Sequence, residues 1–99
     1  MYWQKNVEDD PYPTIFGFNY SVVISGSMDP TIKVNDIIIT QEQPEYNVDD
    51  IIVYTDVENI IVVHRLIDIT DTGEYITKGD ANNINDKPIS KDAIKGKVI

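Results

Sequence analysis

The β-branched and aromatic residues of this chain come in short blocks, each closed off by turn-forming residues. The clearest are Tyr20-Ser21-Val22-Val23-Ile24, Ile37-Ile38-Ile39-Thr40, Ile51-Ile52-Val53-Tyr54-Thr55 and Ile60 to Ile69, with Pro, Gly, Asn and Asp between them. No segment carries a sustained 3.6-residue apolar period, so the pattern predicts a mainly β domain of antiparallel strands. The Ile/Val runs are continuous, which implies strands covered on both faces. Antiparallel sheets packed as a small, partly closed barrel or sandwich are expected. The first strand is expected over Thr14 to Ile24, and Met28 to Val34 as an irregular or single helical turn. Val57-Glu58-Asn59 and Asp71-Thr72-Gly73 read as hairpin connections, the second leading to a strand over Glu74 to Thr77. A helical turn over Lys91 to Ile94 is expected before a last strand, Lys97-Val98-Ile99. Met1 to Pro13, acidic and interrupted by Pro11 and Pro13, reads as a lead-in to one domain over residues 14–99.

Composition narrows the function classes. At 99 residues the chain is long enough for one domain with its own core. The formal net charge of -9 argues against nucleic acid, whose phosphates require Lys and Arg. There is no cysteine and only one histidine, and the carboxylates lack the spacing of a calcium loop, so neither a metal nor a cofactor is expected. The longest purely aliphatic run, Ile60-Ile61-Val62-Val63, is far short of the roughly 18 residues a bilayer-spanning helix needs.

Chemistry concentrates at three places. Ser25-Gly26-Ser27-Met28-Asp29-Pro30 is a turn between two strands, where a serine is presented in a defined position. In the strand from Ile60 to Ile69, alternation puts Ile60, Val62, His64 and Leu66 on one face, so His64 projects from apolar surroundings. Lys78-Gly79-Asp80 to Asp86 is a loop with two aspartates that could fold over that strand. A serine, a histidine and a carboxylate are the parts of a hydrolytic triad. They are equally the parts of a polar turn, a core histidine and a solvated Asp/Asn loop, and the residues alone leave both open.

The ordered set Ser25-Gly26-Ser27-Met28-Asp29-Pro30-Thr31-Ile32, Asn35-Asp36-Ile37, Val63-His64-Arg65 and Lys78-Gly79-Asp80 through Asp86 resembles type I signal peptidases. It is most similar to the branch of the endoplasmic reticulum, archaea and some endospore-forming bacteria, where His stands in place of the Lys base of the main bacterial branch. The resemblance spans about Phe16 to Ile99. It implies Ser27 as nucleophile, His64 as base, Asp86 as the carboxylate orienting His64, and Asp80 in a supporting role, with Arg65 bracing the acidic loop. Ser25 and the Ser27 backbone N–H would form the oxyanion hole. The implied substrates are signal peptides of secretory preproteins with small residues before the cut, bound as an extended strand between Asn19–Ile24 and Ile60–Val63. Val23, Met28, Ile32, Val62 and Val63 would line the pockets. The resemblance also implies the extracytoplasmic face of a membrane. Tyr12, Ile15, Phe16, Phe18 and Tyr20 are candidates for the apolar surface that meets it. The transmembrane anchors usual in the family have no counterpart here, so the resemblance is to a soluble ectodomain or a soluble relative. Asn35-Asp36 departs from the usual Gly-Asp. The alternatives are a self-cleaving repressor-type domain, which uses Ser and Lys, and a non-catalytic β regulatory or binding module.

Overall fold

The computed structural model describes residues 18–99. The expected lead-in over 1–13, the start of the first strand, and the candidate membrane residues Tyr12, Ile15 and Phe16 lie outside the described residues. Six strands follow: β1 (Phe18–Val22), β2 (Ile37–Gln41), β3 (Ile51–Thr55), β4 (Ile61–Ile69), β5 (Tyr75–Lys78) and β6 (Ile94–Val98). A single 3-10 turn, Lys91–Ala93, precedes β6. All pairings are antiparallel, in the order β1-β2-β6-β3-β4-β5. The mainly β, antiparallel class is that expected from the residues. The strands form one open sheet rather than two packed ones.

Covering on both faces comes from loops. Along β3, Val53 packs with Ile38, Val63, Val23, Met28 and Ile32 in one apolar cluster. Its neighbours Ile52 and Tyr54 point the other way, into a second cluster with Leu66, Tyr46 and Ile94. The first face is closed by the segment carrying Met28 and Ile32, the second by the loops before β3 and around Ile89. Two buried faces account for the continuous run in β3, but β2 is covered on one face only, with Ile38 and Thr40 buried and Ile37 and Ile39 exposed at 69% and 43%. Burying Ile52, Val53 and Leu66 completely contributes roughly 1.5–3 kcal/mol each.

The connections follow from their turn residues. Asp56 Oδ1 accepts from the Glu58 and Ile60 backbone N–H groups, and Asn59 takes a positive φ of 65°, closing the β3–β4 hairpin. Gly73 at φ 86° closes the β4–β5 hairpin. Asn35, where a glycine was the usual residue, sits at φ 79°, a backbone Asn tolerates. Its N–H bonds the Val23 carbonyl at 2.7 Å and ties the serine turn shut behind β1. Within that turn the Ile32 N–H reaches the Met28 carbonyl at 2.9 Å, one helical turn.

β6 starts at Ile94, three residues before the expected Lys97. Gly96, inside the strand, lies at a register shift against β3 between Val53 and Tyr54. It also lies so close to β2 that a Cβ would stand 3.2 Å from the Gln41 carbonyl oxygen.

Candidate active site

Ser27, His64 and Asp86 arrive from three different elements. Ser27 is held by the turn after β1. Its carbonyl accepts the Ala81 N–H at 2.8 Å, which docks the 79–86 loop onto the turn. His64 sits in β4 opposite Ile52, on the face of Val62 and Leu66, and is only 8% exposed. Asp86 is anchored beside β5 by its own N–H to the Thr77 carbonyl at 2.8 Å.

The three side chains form one hydrogen-bonded series. His64 Nε2 lies 3.1 Å from Ser27 Oγ, and His64 Nδ1 lies 2.5 Å from Asp86 Oδ2. A carboxylate only accepts, so Nδ1 carries the proton and Nε2 is left to accept from the Ser27 hydroxyl. Ser25 completes the cluster. Its hydroxyl donates to Ser27 Oγ and accepts the Ser27 N–H, both at 3.2 Å. The two groups expected at an oxyanion therefore satisfy each other in the resting site, and an incoming anion would have to displace that bond.

Asp80, six residues before Asp86, is elsewhere. Its carboxylate takes Arg65 Nε at 2.9 Å, Arg65 Nη2 at 2.8 Å and Thr31 Oγ1 at 2.7 Å. Arg65 also donates to the Asp49 carbonyl at 3.0 Å. The forked Arg65 bond, aided by Thr31, holds the Asp80 carboxyl at about 2, against the opposing effect of burial. Asp80 thus pins the serine turn to β4 through Thr31 and Arg65, and its bonds do not include His64.

A cavity of about 330 Å³ opens beside Ser27 and His64. Ser25 and all five residues expected to line substrate pockets border it: Val23, Met28, Ile32, Val62 and Val63. Four of these are also core, no more than 6% exposed, so the cavity floor is the top of the first apolar cluster. One wall is Ile60 to His64. β5 pairs with β4 only from Arg65 onward, so the edge of Ile61–His64 turned away from β3 has no strand partner among the described residues. Phe18 is half-buried and Tyr20 is 43% exposed, on the outward face of β1. No helix among the described residues is long and apolar enough to cross a membrane.

Five further residues border the series, none of them given a role by the sequence pattern. Tyr54 and Thr77 both bond Asp86 Oδ2, at 3.2 and 2.7 Å, and read in the sequence as ordinary strand residues. Gly79 is buried against the pair itself. A Cβ there would stand 2.7 Å from the Ser27 carbonyl oxygen and 3.0 Å from His64 Nε2. Asn82 borders the cavity, and Lys78 Nζ holds the loop through the Gly79 and Asn82 carbonyls at 3.1 and 2.8 Å. The Lys-Gly-Asp spacing marked this loop, but nothing in it told which glycine contact mattered.

A hydroxyl, an imidazole and a carboxylate in this series can activate the hydroxyl for attack on a carbonyl, provided the carbonyl can lie along the cavity. Comparison with known proteins adds the family. No protein-family model matches the chain. Signal peptidase I W of Bacillus subtilis is 33% identical over 90 residues, 84% of this chain and 47% of its own length. The signal peptidase complex catalytic subunit SEC11 of Lachancea thermotolerans is 40% identical over 75 residues, covering 69% of this chain and 45% of the relative. SEC11 of Plasmodium falciparum is 32% identical over 71 residues, 67% of this chain and 39% of the relative. Over most of its own length the chain is a homologue of the type I signal peptidases, and it spans about half the length of the curated relatives it matches.

Proposed function

We propose that this chain is the catalytic domain of a serine endopeptidase that removes signal peptides from secretory preproteins after a small-x-small segment. The single observation that carries the reading is the Ser27–His64–Asp86 series, set at the mouth of a cavity along a strand edge that has no partner among the described residues.

The preprotein segment lies extended between the end of β1 and Ile60–Val63, adding a strand to the free edge of β4. Small side chains fit because Met28, Ile32 and Val63 leave a shallow floor. Ser27 Oγ attacks the scissile carbonyl while His64 Nε2 takes its proton. Asp86 keeps the imidazole in the tautomer with the proton on Nδ1 and stabilises the imidazolium that forms. As the carbonyl oxygen becomes an anion, the Ser27 N–H and the Ser25 hydroxyl exchange their mutual bond for it. His64 then returns its proton to the leaving amine, and water enters by the reverse route to free Ser27. Asp80 touches none of these atoms and acts as the brace between Arg65 and the serine turn. The work belongs at the extracytoplasmic face of a membrane, where such substrates emerge, with the outward face of β1 turned to the bilayer.

The test is cleavage of a preprotein in the presence of lipid or detergent, with mass analysis of the product's N-terminus. The wild type should cut after a small-x-small segment, and Ser27→Ala should abolish the cut while leaving the unfolding transition in place. Undiminished cleavage by Ser27→Ala would remove the serine-peptidase reading.

A further inference from the structure

Asp86 Oδ2 is the most heavily used atom of the site. It accepts His64 Nδ1 at 2.5 Å, Thr77 Oγ1 at 2.7 Å and the Tyr54 phenol at 3.2 Å. Tyr54 also lies 2.9 Å from Thr77 Oγ1. The two hydroxyls have one proton each. Thr77, the nearer, donates to Asp86, and Tyr54 is left to donate between Thr77 and Asp86. Donation to Thr77 polarises the Thr77 hydroxyl and strengthens its bond to Asp86, so both routes act on the same oxygen.

The fold builds this deliberately from three strands. Tyr54 in β3 and His64 in β4 share a sheet face, since Tyr54 stands opposite Val62 and Ile52 opposite His64. Thr77 in β5 pairs with Leu66 on that face. Thr77 is fully buried and Tyr54 is 3% exposed, so both donors are shielded from water, while the Asp86 side chain that accepts from them is 27% exposed. Burial pushes the Tyr54 phenol well above its ordinary value near 10, which keeps it a neutral donor at any working pH.

We propose that Tyr54, relayed through Thr77, is a positioning residue that sets how strongly Asp86 grips His64. Two donors draw charge from Oδ2 and fix its direction. Asp86 then orients the imidazole without holding the Nδ1 proton so tightly that the return of the Nε2 proton to the leaving amine suffers. Without Tyr54 the charge on Oδ2 is less shared, and the His64 Nδ1–H···Oδ2 bond strengthens while the carboxylate is less well aimed. This rests on the role proposed for Asp86, and its test does not need cleavage.

The chain has a single histidine, so the Nδ1 proton of His64 is an unambiguous NMR reporter. The comparison is wild type, Tyr54→Phe, Thr77→Val and Thr77→Ser at one fixed pH, so that Asp56 and Lys87, which line a second cavity together with Tyr54 and Asp86, carry the same charge in all four. Tyr54→Phe keeps the ring and loses only the hydroxyl. The Nδ1 proton should move downfield in Tyr54→Phe and further in Thr77→Val, and Thr77→Ser should stay near the wild type. In cleavage assays kcat should fall roughly 3- to 10-fold in Tyr54→Phe with KM unchanged, about what a misaimed neutral donor costs. A resonance that stays in place or moves upfield in both Tyr54→Phe and Thr77→Val would overturn the proposal. A wild type that cleaves no preprotein would instead count against the function, and the resonances would still decide the role of Tyr54.

Discussion

Asp80 and Asp86 belong to one loop and lie six residues apart, yet they face different parts of the molecule. Asp80 is saturated by a guanidinium and a hydroxyl, Arg65 and Thr31, in contacts that join two pieces of backbone. Among the described residues Asp86 pairs with no Lys or Arg. Its partners are an imidazole and two neutral hydroxyls. A carboxylate locked to Arg is spent on structure, because its charge is already neutralised. One held by neutral donors keeps its charge available to an imidazolium that exists only during reaction. The difference supports, without reference to motif position, the proposal that Asp80 is a brace and Asp86 the orienter of His64.

The largest way to break this comparison is at His64, which Asp86 bonds and Asp80 does not. His64→Ala should lower kcat/KM by roughly 10⁴-fold or more, since nucleophile and base act as a unit. Steady-state cleavage measures it, and a loss under tenfold would mean another group is the base. Next is Gly79, the point where the loop carrying both aspartates approaches Ser27 and His64. In Gly79→Ala the new methyl meets the Ser27 carbonyl at 2.7 Å, so loop and turn must part. A loss of about 100-fold in kcat/KM is expected from displacing the pair by a fraction of an ångström. Activity within threefold of the wild type would show that the loop yields freely.

The brace gives smaller effects, on stability. Thr31→Val removes one charge-assisted bond to Asp80 at an exposed site and should cost about 0.5–1 kcal/mol in denaturant unfolding, with cleavage nearly unchanged. An effect on turnover alone would reverse the assignment. The same brace gives a signal in acid. Asp80 is held at about 2 in the folded chain, below its ordinary 3.8, so its contribution is fully present above about pH 4 and is lost as pH falls through 2. With solvent screening the amount is about 1–2 kcal/mol. Wild-type stability should therefore fall between about pH 4 and 2 more steeply than that of Asp80→Asn, by that amount. Parallel curves would show that the Arg65 bond is worth little.

Much of this is legible in the sequence, and the reasons are local. Ile51–Thr55 is a strand in both readings because β-branched density and flanking Asp residues decide it. Period-2 alternation put His64 beside Val62 and Leu66, and the Ser-Gly-Ser-Met spacing marked the turn. What stayed hidden depends on register and on strand order. Tyr54 reaches Asp86 only because β3 pairs β4 with Ile52 opposite His64, and no residue in either strand announces that pairing. β6 inserts between β2 and β3, a long-range choice, and it runs from Ile94 through Gly96, which sits at a register shift and a close approach to β2. Gly79 likewise matters for what lies 3 Å away in space, which is Ser27 and His64.

The most direct measurement is a paired one, kcat/KM on a preprotein and unfolding free energy, on Asp86→Asn and Asp80→Asn. The amide at Asp86 still accepts from Tyr54 and Thr77 but cannot stabilise an imidazolium. Asp86→Asn should therefore lose roughly 10³- to 10⁴-fold in kcat/KM with stability within about 1 kcal/mol of the wild type. Asp80→Asn should lose about 1–2 kcal/mol of stability and, while folded, keep kcat/KM within about tenfold. An Asp80→Asn that folds normally and does not cleave, beside an Asp86→Asn that cleaves well, would contradict the account.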